Sequence, residues 1–505
     1  MRKYFILIVI IILIITSYLI FLNSIFIILG IVIYPLAILG LYDYFQTKHS
    51  ITRNFPIIGH ARYILESLGP EIRQYFIESD TNGTPFTRLQ RNIIYGRAKL
   101  TNQNHPFGTE LNVYQPDYEW MPHSIYPAKL LHSSPRVEIG GENCLKPYSA
   151  SLLNISAMSY GALSKSAVLA FSKGAKKGNF YHNTGEGGVS PYHLEGGADI
   201  VYQIGTGYFG CRSDDGTFNL EKFIKTSSHE NIKMIEIKIS QGAKPGHGGV
   251  LPAAKNTPEI ASIRGVPVGT TILSPPGHSA FSNAFEFIEF IKLLRLNCHG
   301  KPIGFKFCVG KKQEFIDICK AMISANIYPD FITVDGGEGG TGAAPLEFSN
   351  SVGMPLEDGL VFVIDTLIGF DLKSKIKVIA SGKIVSGFDM VKYMSIGADI
   401  CNSARGMMMA LGCIQALECD KNTCPTGLTT HNPHLMAGLV VEEKYIRVAN
   451  FQNETLKCFM ELIAAAGISD LTNLKRSLIH QRIDTHNFLT FEEIYPSVVS
   501  RSYLY

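Results

Sequence analysis

From about Ser149 onward, short apolar runs end again and again in glycine-rich loops, and helical stretches such as Ala284 to Leu296 and Gln313 to Ala325 separate them. Short continuous apolar runs suit strands buried on both faces, and the stretches between them are long enough for crossover helices. The candidate strands are Leu152 to Ala157, Phe180 to Asn183, Met234 to Ile239, Ile303 to Cys308, Phe331 to Val334, Leu360 to Ile364, Lys377 to Ala380 and Ile400 to Asn402. They predict an α/β chain with a (β/α)8 TIM-type barrel; a doubly wound sheet is the alternative.

The residues with chemistry cluster just after these strands, where a barrel builds its site. They lie in Ser156-Ala-Met158-Ser159, Asn183-Thr-Gly185-Glu186, Gln241-Gly-Ala-Lys244, Asp335-Gly-Gly, Ser381-Gly382-Lys383 and Ser403-Ala-Arg405. The last two loops follow the penultimate and final strands, a position that holds phosphate on backbone N–H groups and a helix N-terminus; tight strand-to-helix turns are the plainer reading. Lys244 is a lone cation in a loop stripped of side chains, suited to a carboxylate or to a reduced, anionic ring unless it is a mobile surface lysine. Glu186 and Glu338 stand among glycines, either to position an ammonium or imine or as ordinary turn carboxylates. Gly205-Thr-Gly207-Tyr-Phe-Gly210 matches the dinucleotide fingerprint literally, but without a clear following helix or a distal acid it reads as a turn.

The N-terminus has a different texture. Tyr4 to Tyr42 contains no charged residue, and as one helix it would run roughly 58 Å, nearly twice the roughly 30 Å hydrocarbon core. Asn23-Ser24 splits it into Phe5 to Leu22 and Ile25 to Leu41, which predicts a transmembrane hairpin. Arg2 and Lys3 before it and Lys48, His49 and Arg53 after it place both ends, and the catalytic body, in the cytoplasm by the positive-inside rule. A cleaved signal peptide is the alternative, although the run far exceeds the roughly 7 to 15 residues of its apolar region. The expected organisation is hairpin (1–47), irregular pre-barrel collar (48–148), barrel (149–470) and C-terminal extension (471–505).

A net charge of +3 with only 18% charged residues leaves no basic stripe for nucleic acid. Seven of the ten cysteines show no disulfide-framework spacing, which fits a reducing compartment. The other three, Cys413, Cys419 and Cys424, share one short segment. Thiolates so close can grip adjacent corners of an iron–sulfur cluster, and three rather than four point to a three-iron, four-sulfur cluster, or to a four-iron cluster with Asp420 as the foreign ligand. Zinc is the rival, although paired Cys-x2-Cys units with histidine partners are absent.

Read together, Ala157-Met158-Ser159-Tyr160-Gly161, Asn183-Thr-Gly-Glu-Gly-Gly188, Lys238-Ile-Ser-Gln241-Gly-Ala-Lys244-Pro-Gly246, Ser274-Pro-Pro276, Gly339-Gly-Thr-Gly-Ala-Ala-Pro345 and the cysteine loop resemble the FMN-binding synthase domain of glutamate synthases. The resemblance covers about Ser149 to Ile468 in unbroken order. It extends, through Arg53-Asn-Phe-Pro56 and Arg73-Gln-Tyr-Phe76, to the stand-alone, membrane-tethered branch of that family. It implies a barrel carrying FMN beside a 3Fe-4S cluster, and reduction of 2-iminoglutarate, formed from 2-oxoglutarate and ammonia, to glutamate. By the same resemblance Met158, Ser159, Asn183, Gln241, Lys306 on the fourth candidate strand, Gly382, Lys383, Ser403 and Arg405 bind the cofactor. Lys244, Glu186 and Arg264 face the substrate, and Cys413, Cys419 and Cys424 ligate the cluster.

Three departures follow from that comparison. The family's glutamine after the Lys-Pro-Gly-x-Gly-Gly loop is Val250 here, and the histidine often found after the second cluster cysteine is Asp420. Neither a glutaminase domain nor a nicotinamide domain is evident, so ammonia is expected from a separate glutaminase or free pool, and electrons from ferredoxin, a reductase or a membrane donor. Val250 leaves open another imine or 2-oxo acid, as in the amine-glutamate synthase relatives, and a non-catalytic membrane electron carrier is the reading from a different class.

Overall fold

A computed structural model describes residues 2–101, 103–130 and 135–504, and the chain divides into two compact units, Met1–Pro85 and Phe86–Tyr505. In the first unit, α1 (Arg2–Leu22) and α2 (Ile27–Phe45) are two long apolar helices. Asn23 breaks them apart as the sequence predicts: its side chain accepts from Ile25 N at 3.0 Å and caps the short turn Ser24–Phe26. By length and composition both helices could cross a membrane, and a signal sequence would pass the same test. At the end of α2 the buried Asp43 accepts from Ile57 N and His60 Nε2, each at 2.9 Å, tying the following segment back to the helix.

The second unit opens with α3 (Arg88–Lys99), started by a reciprocal capping box between Thr87 and Gln90. A closed parallel barrel follows: β1 (Leu153–Ile155), β2 (His182–Asn183), β3 (Ile200–Ile204), β4 (Ile232–Lys238), β5 (Ile303–Phe307), β6 (Phe331–Asp335), β7 (Lys377–Ser381) and β8 (Ile400–Ser403). The expected barrel is therefore present, with one exchange among its strands. Leu360 to Ile364 is not a strand but the interior of α4 (Leu356–Gly369), a helix buried on nearly every side. A short apolar run carries no period by which to distinguish such a helix from a buried strand. The missing strand is β3, whose sequence Ile-Val-Tyr-Gln-Ile is interrupted by polar groups yet wholly buried. Lys306 consequently lies on the fifth strand, not the fourth.

Burial of Gln203 is explained by a polar layer inside the barrel. Glu236 accepts from Asn183 Nδ2 (2.8 Å), Gln203 Nε2 (2.6 Å) and Thr333 Oγ1 (2.7 Å). Three donors from three strands compensate the desolvated carboxylate. Above this layer the pairing register sets functional groups side by side: Lys238 opposite Lys306, and Asp335 opposite Ser381. Outside the barrel, α5 (Val441–Ala465) packs on the helix Lys165–Gly178. A Cβ at Gly174 would meet Tyr445 O at 2.8 Å, so glycine permits the close approach. The C-terminal segment, on which the sequence was silent, joins the collar: Glu119–Trp120, His480–Arg482 and Phe488–Thr490 form a three-stranded antiparallel sheet.

Candidate functional site

Glu186 sits in a short turn after β2, with its carboxylate 3.0 Å from Lys238 Nζ at the end of β4. Glycines make its space: a Cβ at Gly249 would meet Glu186 Oε1 at 2.5 Å, and one at Gly205 would meet its Cβ at 2.7 Å. Burial works to raise the Glu186 pKa, but the charges of Lys238, Lys244 and Arg264 outweigh it and hold the carboxyl below its usual range. Burial lowers Lys244 to about 8 against the pull of Glu186, and its Nζ donates to Ala343 O at 2.6 Å. Burial likewise lowers Arg264 to about 10. That guanidinium lies 4.9 Å from the Phe209 ring centre, donates to Tyr160 O at 2.9 Å, and keeps a buried Nε with no partner among the described residues. The structure thus gathers Lys244, Glu186 and Arg264, which lie far apart in sequence, and adds Lys238.

Gln241 and Lys306 border this pocket. Gln241 accepts from Lys238 Nζ at 2.7 Å, while its buried Nε2 has no partner among the described residues. Lys306 pairs with Asp335 at 3.2 Å; Asp335 also accepts from Gly242 N and Ser381 Oγ, each at 2.8 Å. Asn183 divides its amide between Glu236 and Gly185 N. Met158 and Ser159 lie half-buried after β1, and backbone there approaches Gly185 so closely that a Cβ would meet Ser159 N at 2.6 Å. Gly185 has φ +62°, so glycine is required on both counts.

The loops after β7 and β8 bring Gly382, Lys383, Ser403 and Arg405 together. Ser403 donates to Ile384 O at 2.6 Å, so its hydroxyl ties one loop to the other. Arg405 donates to Glu338 O at 2.6 Å, and a Cβ at Gly340 would meet Arg405 Nε at 2.6 Å. Burial, then repulsion by Arg405, lowers the Lys383 pKa. Neither cation forms an ion pair among the described residues, because the Glu338 carboxylate is taken by Leu356 N at 2.9 and 3.2 Å. Glu338 is thus a helix cap, the plainer of its two readings. Two half-buried cations beside the glycine-containing turn after β7 fit an anion such as a phosphate.

Cys413, Cys419 and Cys424 stand close enough to repel one another as thiolates. Burial pushes Cys413 up to about 12. It works the same way on Cys424, but donors from Thr426, at 3.4 Å, and from Thr429 N hold that thiol below its usual range. Among the described residues no three His, Cys, Asp or Glu side chains converge on a single ion. A shared stretch of backbone joins this loop to the pocket: Tyr160 O accepts from Arg264, Gly161 O bonds His431 Nε2 at 2.8 Å, and Ala162 O accepts from Lys255 at 2.6 Å. Lys255 Nζ also donates to Cys419 O at 3.1 Å. Lys238, Lys255 and His431 escaped the sequence reading; for Lys238 the available signal was a cation at the end of a strand, the position where barrel chemistry collects.

The family described as the conserved region in glutamate synthase matches residues 128–469. The glutamate synthase large subunit-like protein YerD of Bacillus subtilis is 37% identical over 94% of this chain and 98% of its own length. The archaeal glutamate synthase [NADPH] of Methanocaldococcus jannaschii is 36% identical over 64% of this chain, which spans 60% of that relative. A mandelate oxidase mutant solved with benzaldehyde aligns with a TM-score of 0.44 and 13% identity, over 87% of this chain and 98% of that one.

Proposed function

Since the chain belongs to the glutamate synthase conserved-region family, we propose that its barrel binds FMN and reduces 2-iminoglutarate, formed from 2-oxoglutarate and ammonia, to glutamate. The observation that carries this reading is the buried charge set at the barrel mouth. Lys238, Lys244 and Arg264 face one carboxylate, Glu186, leaving two positive charges to receive a dicarboxylate. Lys244 and Arg264 pair with the two substrate carboxylates. Glu186, ionised at neutral pH, holds the ammonium or iminium, and Lys238 orients it. Burial of all four groups strengthens each contact by excluding water.

FMN, when bound, supplies the hydride. Lys383 and Arg405 would hold its phosphate, and Gln241, whose buried donor awaits a partner, together with Met158, Ser159, Asn183 and Lys306 would border its ring. Cys413, Cys419 and Cys424 would ligate a 3Fe-4S cluster; each thiolate takes its own iron there, so the ligands stand wider apart than around a single ion. Electrons come from a separate donor, and α1 and α2 anchor the chain in a membrane with the barrel cytoplasmic. The test is anaerobic mixing of dithionite-reduced full-length protein with 2-oxoglutarate and ammonia. Glutamate formation with flavin reoxidation is expected, and the absence of both overturns the reading.

Val250 supports a second reading. It lies half-buried on a two-stranded ribbon with Leu273, just after the Lys244 loop, and offers an apolar wall where a polar one would suit a second carboxylate. Faster flavin reoxidation by a 2-oxo acid lacking the distal carboxylate, or by a substituted amine in place of ammonia, would favour this reading.

A further inference from the structure

Phe86, the first residue of the barrel unit, is fully buried although it precedes the first barrel strand by more than sixty positions. Arg405 lies over its ring at 4.8 Å and Lys383 at 6.0 Å. These are the two cations of the β7 and β8 loops that lack ion pairs among the described residues. Two like charges held half-buried together repel, and an aromatic face is a neutral surface that attracts both. Lys383 takes φ +48°, a conformation uncommon for a side-chain-bearing residue.

The backbone that carries the ring is held in turn. Gln415 Oε1 accepts from Phe86 N at 3.1 Å, and Gln415 Nε2 donates to Phe86 O at 3.5 Å. Gln415 is buried, and its own N–H lies 3.5 Å from Cys413 Sγ. From α3, Tyr95 OH donates to Cys413 O at 2.7 Å. The segment entering the barrel unit therefore grips the cysteine loop while its leading ring covers the cations.

We propose that Phe86 is a positioning residue of the flavin phosphate site, a role that presupposes FMN in this barrel: its ring holds the Lys383 and Arg405 charges oriented toward the phosphate, and Gln415 fixes the backbone that carries the ring. The ring does not touch the flavin; it acts through the cations. Removing its face takes the aromatic restraint from two mutually repelling side chains and leaves Arg405 to its contact with Glu338 O.

Riboflavin, which lacks the phosphate, separates this role from simple packing. Full-length protein stripped of flavin is titrated with FMN and with riboflavin, following quenching of flavin fluorescence. Wild type should prefer FMN. In Phe86→Leu, FMN affinity should fall about ten-fold while riboflavin affinity stays unchanged, the size expected for loss of a desolvated cation–π contact. Phe86→Met, also apolar but without a π face, should do the same and serves if the leucine variant does not fold. Equal weakening of both flavins, or no change in either, overturns the proposal. A wild type that binds FMN no better than riboflavin overturns instead the phosphate assignment beneath it, and one that binds neither overturns the flavin reading.

Discussion

The charge pocket around Glu186 and the cysteine loop meet on the same three residues, Tyr160 to Ala162, yet they are built in opposite ways. In the pocket three cations surround a single carboxylate. Glu186 and Lys238 come from the ends of β2 and β4, so barrel register holds them, and Glu186 is ionised because cations surround it. The cysteine loop has no strand beneath it. Its positions depend on borrowed contacts, namely Tyr95 on Cys413 O, Lys255 on Cys419 O and Thr426 on Cys424 Sγ. Burial keeps Cys413 protonated, so a metal must displace its proton. A strand-end site is organised before a ligand arrives, whereas the loop, on the proposed reading, would be completed by its cluster.

The contrast breaks most decisively at the loop. Cys419→Ser should abolish the cluster, read as loss of iron and of the three-iron paramagnetic signal from the oxidised protein, while flavin binding persists. If iron content does not change, the ligand assignment is wrong. Next in size, Lys244→Ala should lower glutamate formation by about a hundred-fold or more, the cost of truncating one partner of a buried charge contact. Its electron transfer to an artificial acceptor should be unaffected. If both activities survive equally, the chain is a relay and not a synthase.

Glu186→Gln is isosteric and removes the charge that offsets the nearby cations. Turnover should drop about ten-fold or more, and Lys244 should lose its proton at lower pH because Glu186 no longer raises its pKa. Wild-type KM for 2-oxoglutarate should climb as pH passes about 8, where Lys244 deprotonates; a flat profile would exclude Lys244 as a carboxylate partner. Lys244→Arg should carry that break to higher pH.

The smallest effect concerns stability. Because the folded pKa of Lys244 is depressed to about 8 from 10.5, the unfolded chain keeps a proton the folded one has lost between those values. Stability from this group therefore rises with pH across that window, and below it the buried charge costs the fold. Lys244→Met should raise the melting temperature at neutral pH by about a few degrees at most. A lower melting temperature would mean that Lys244 is held by net favourable contacts even without substrate.

Much of this site could be read from its residues because barrel chemistry follows strand ends, and Lys244, Glu186 and the cysteine triplet each stand in a sparse, glycine-rich setting. Glu338 shares that setting and differs only in what folds against it, the first turn of α4. The error over Leu360 and the omission of Ile200–Ile204 have one cause. Burial on all sides erases periodicity in a helix, and a polar interior layer, here Gln203 on Glu236, disguises a strand. Phe86 was illegible for another reason: its value lies wholly in contacts with residues about three hundred positions away.

By itself the sequence determined the βα alternation, the uncharged N-terminal run and its break at Asn23, and the inventory of cations, carboxylates and thiols, since these rest on local periodicity and residue chemistry. Only the tertiary structure decided which strands close the barrel and which of two similar acids faces cations. It also placed one short backbone stretch against both the pocket and the cysteine loop. Such outcomes depend on register and on contacts between residues distant in sequence, where burial sets the worth of each charge.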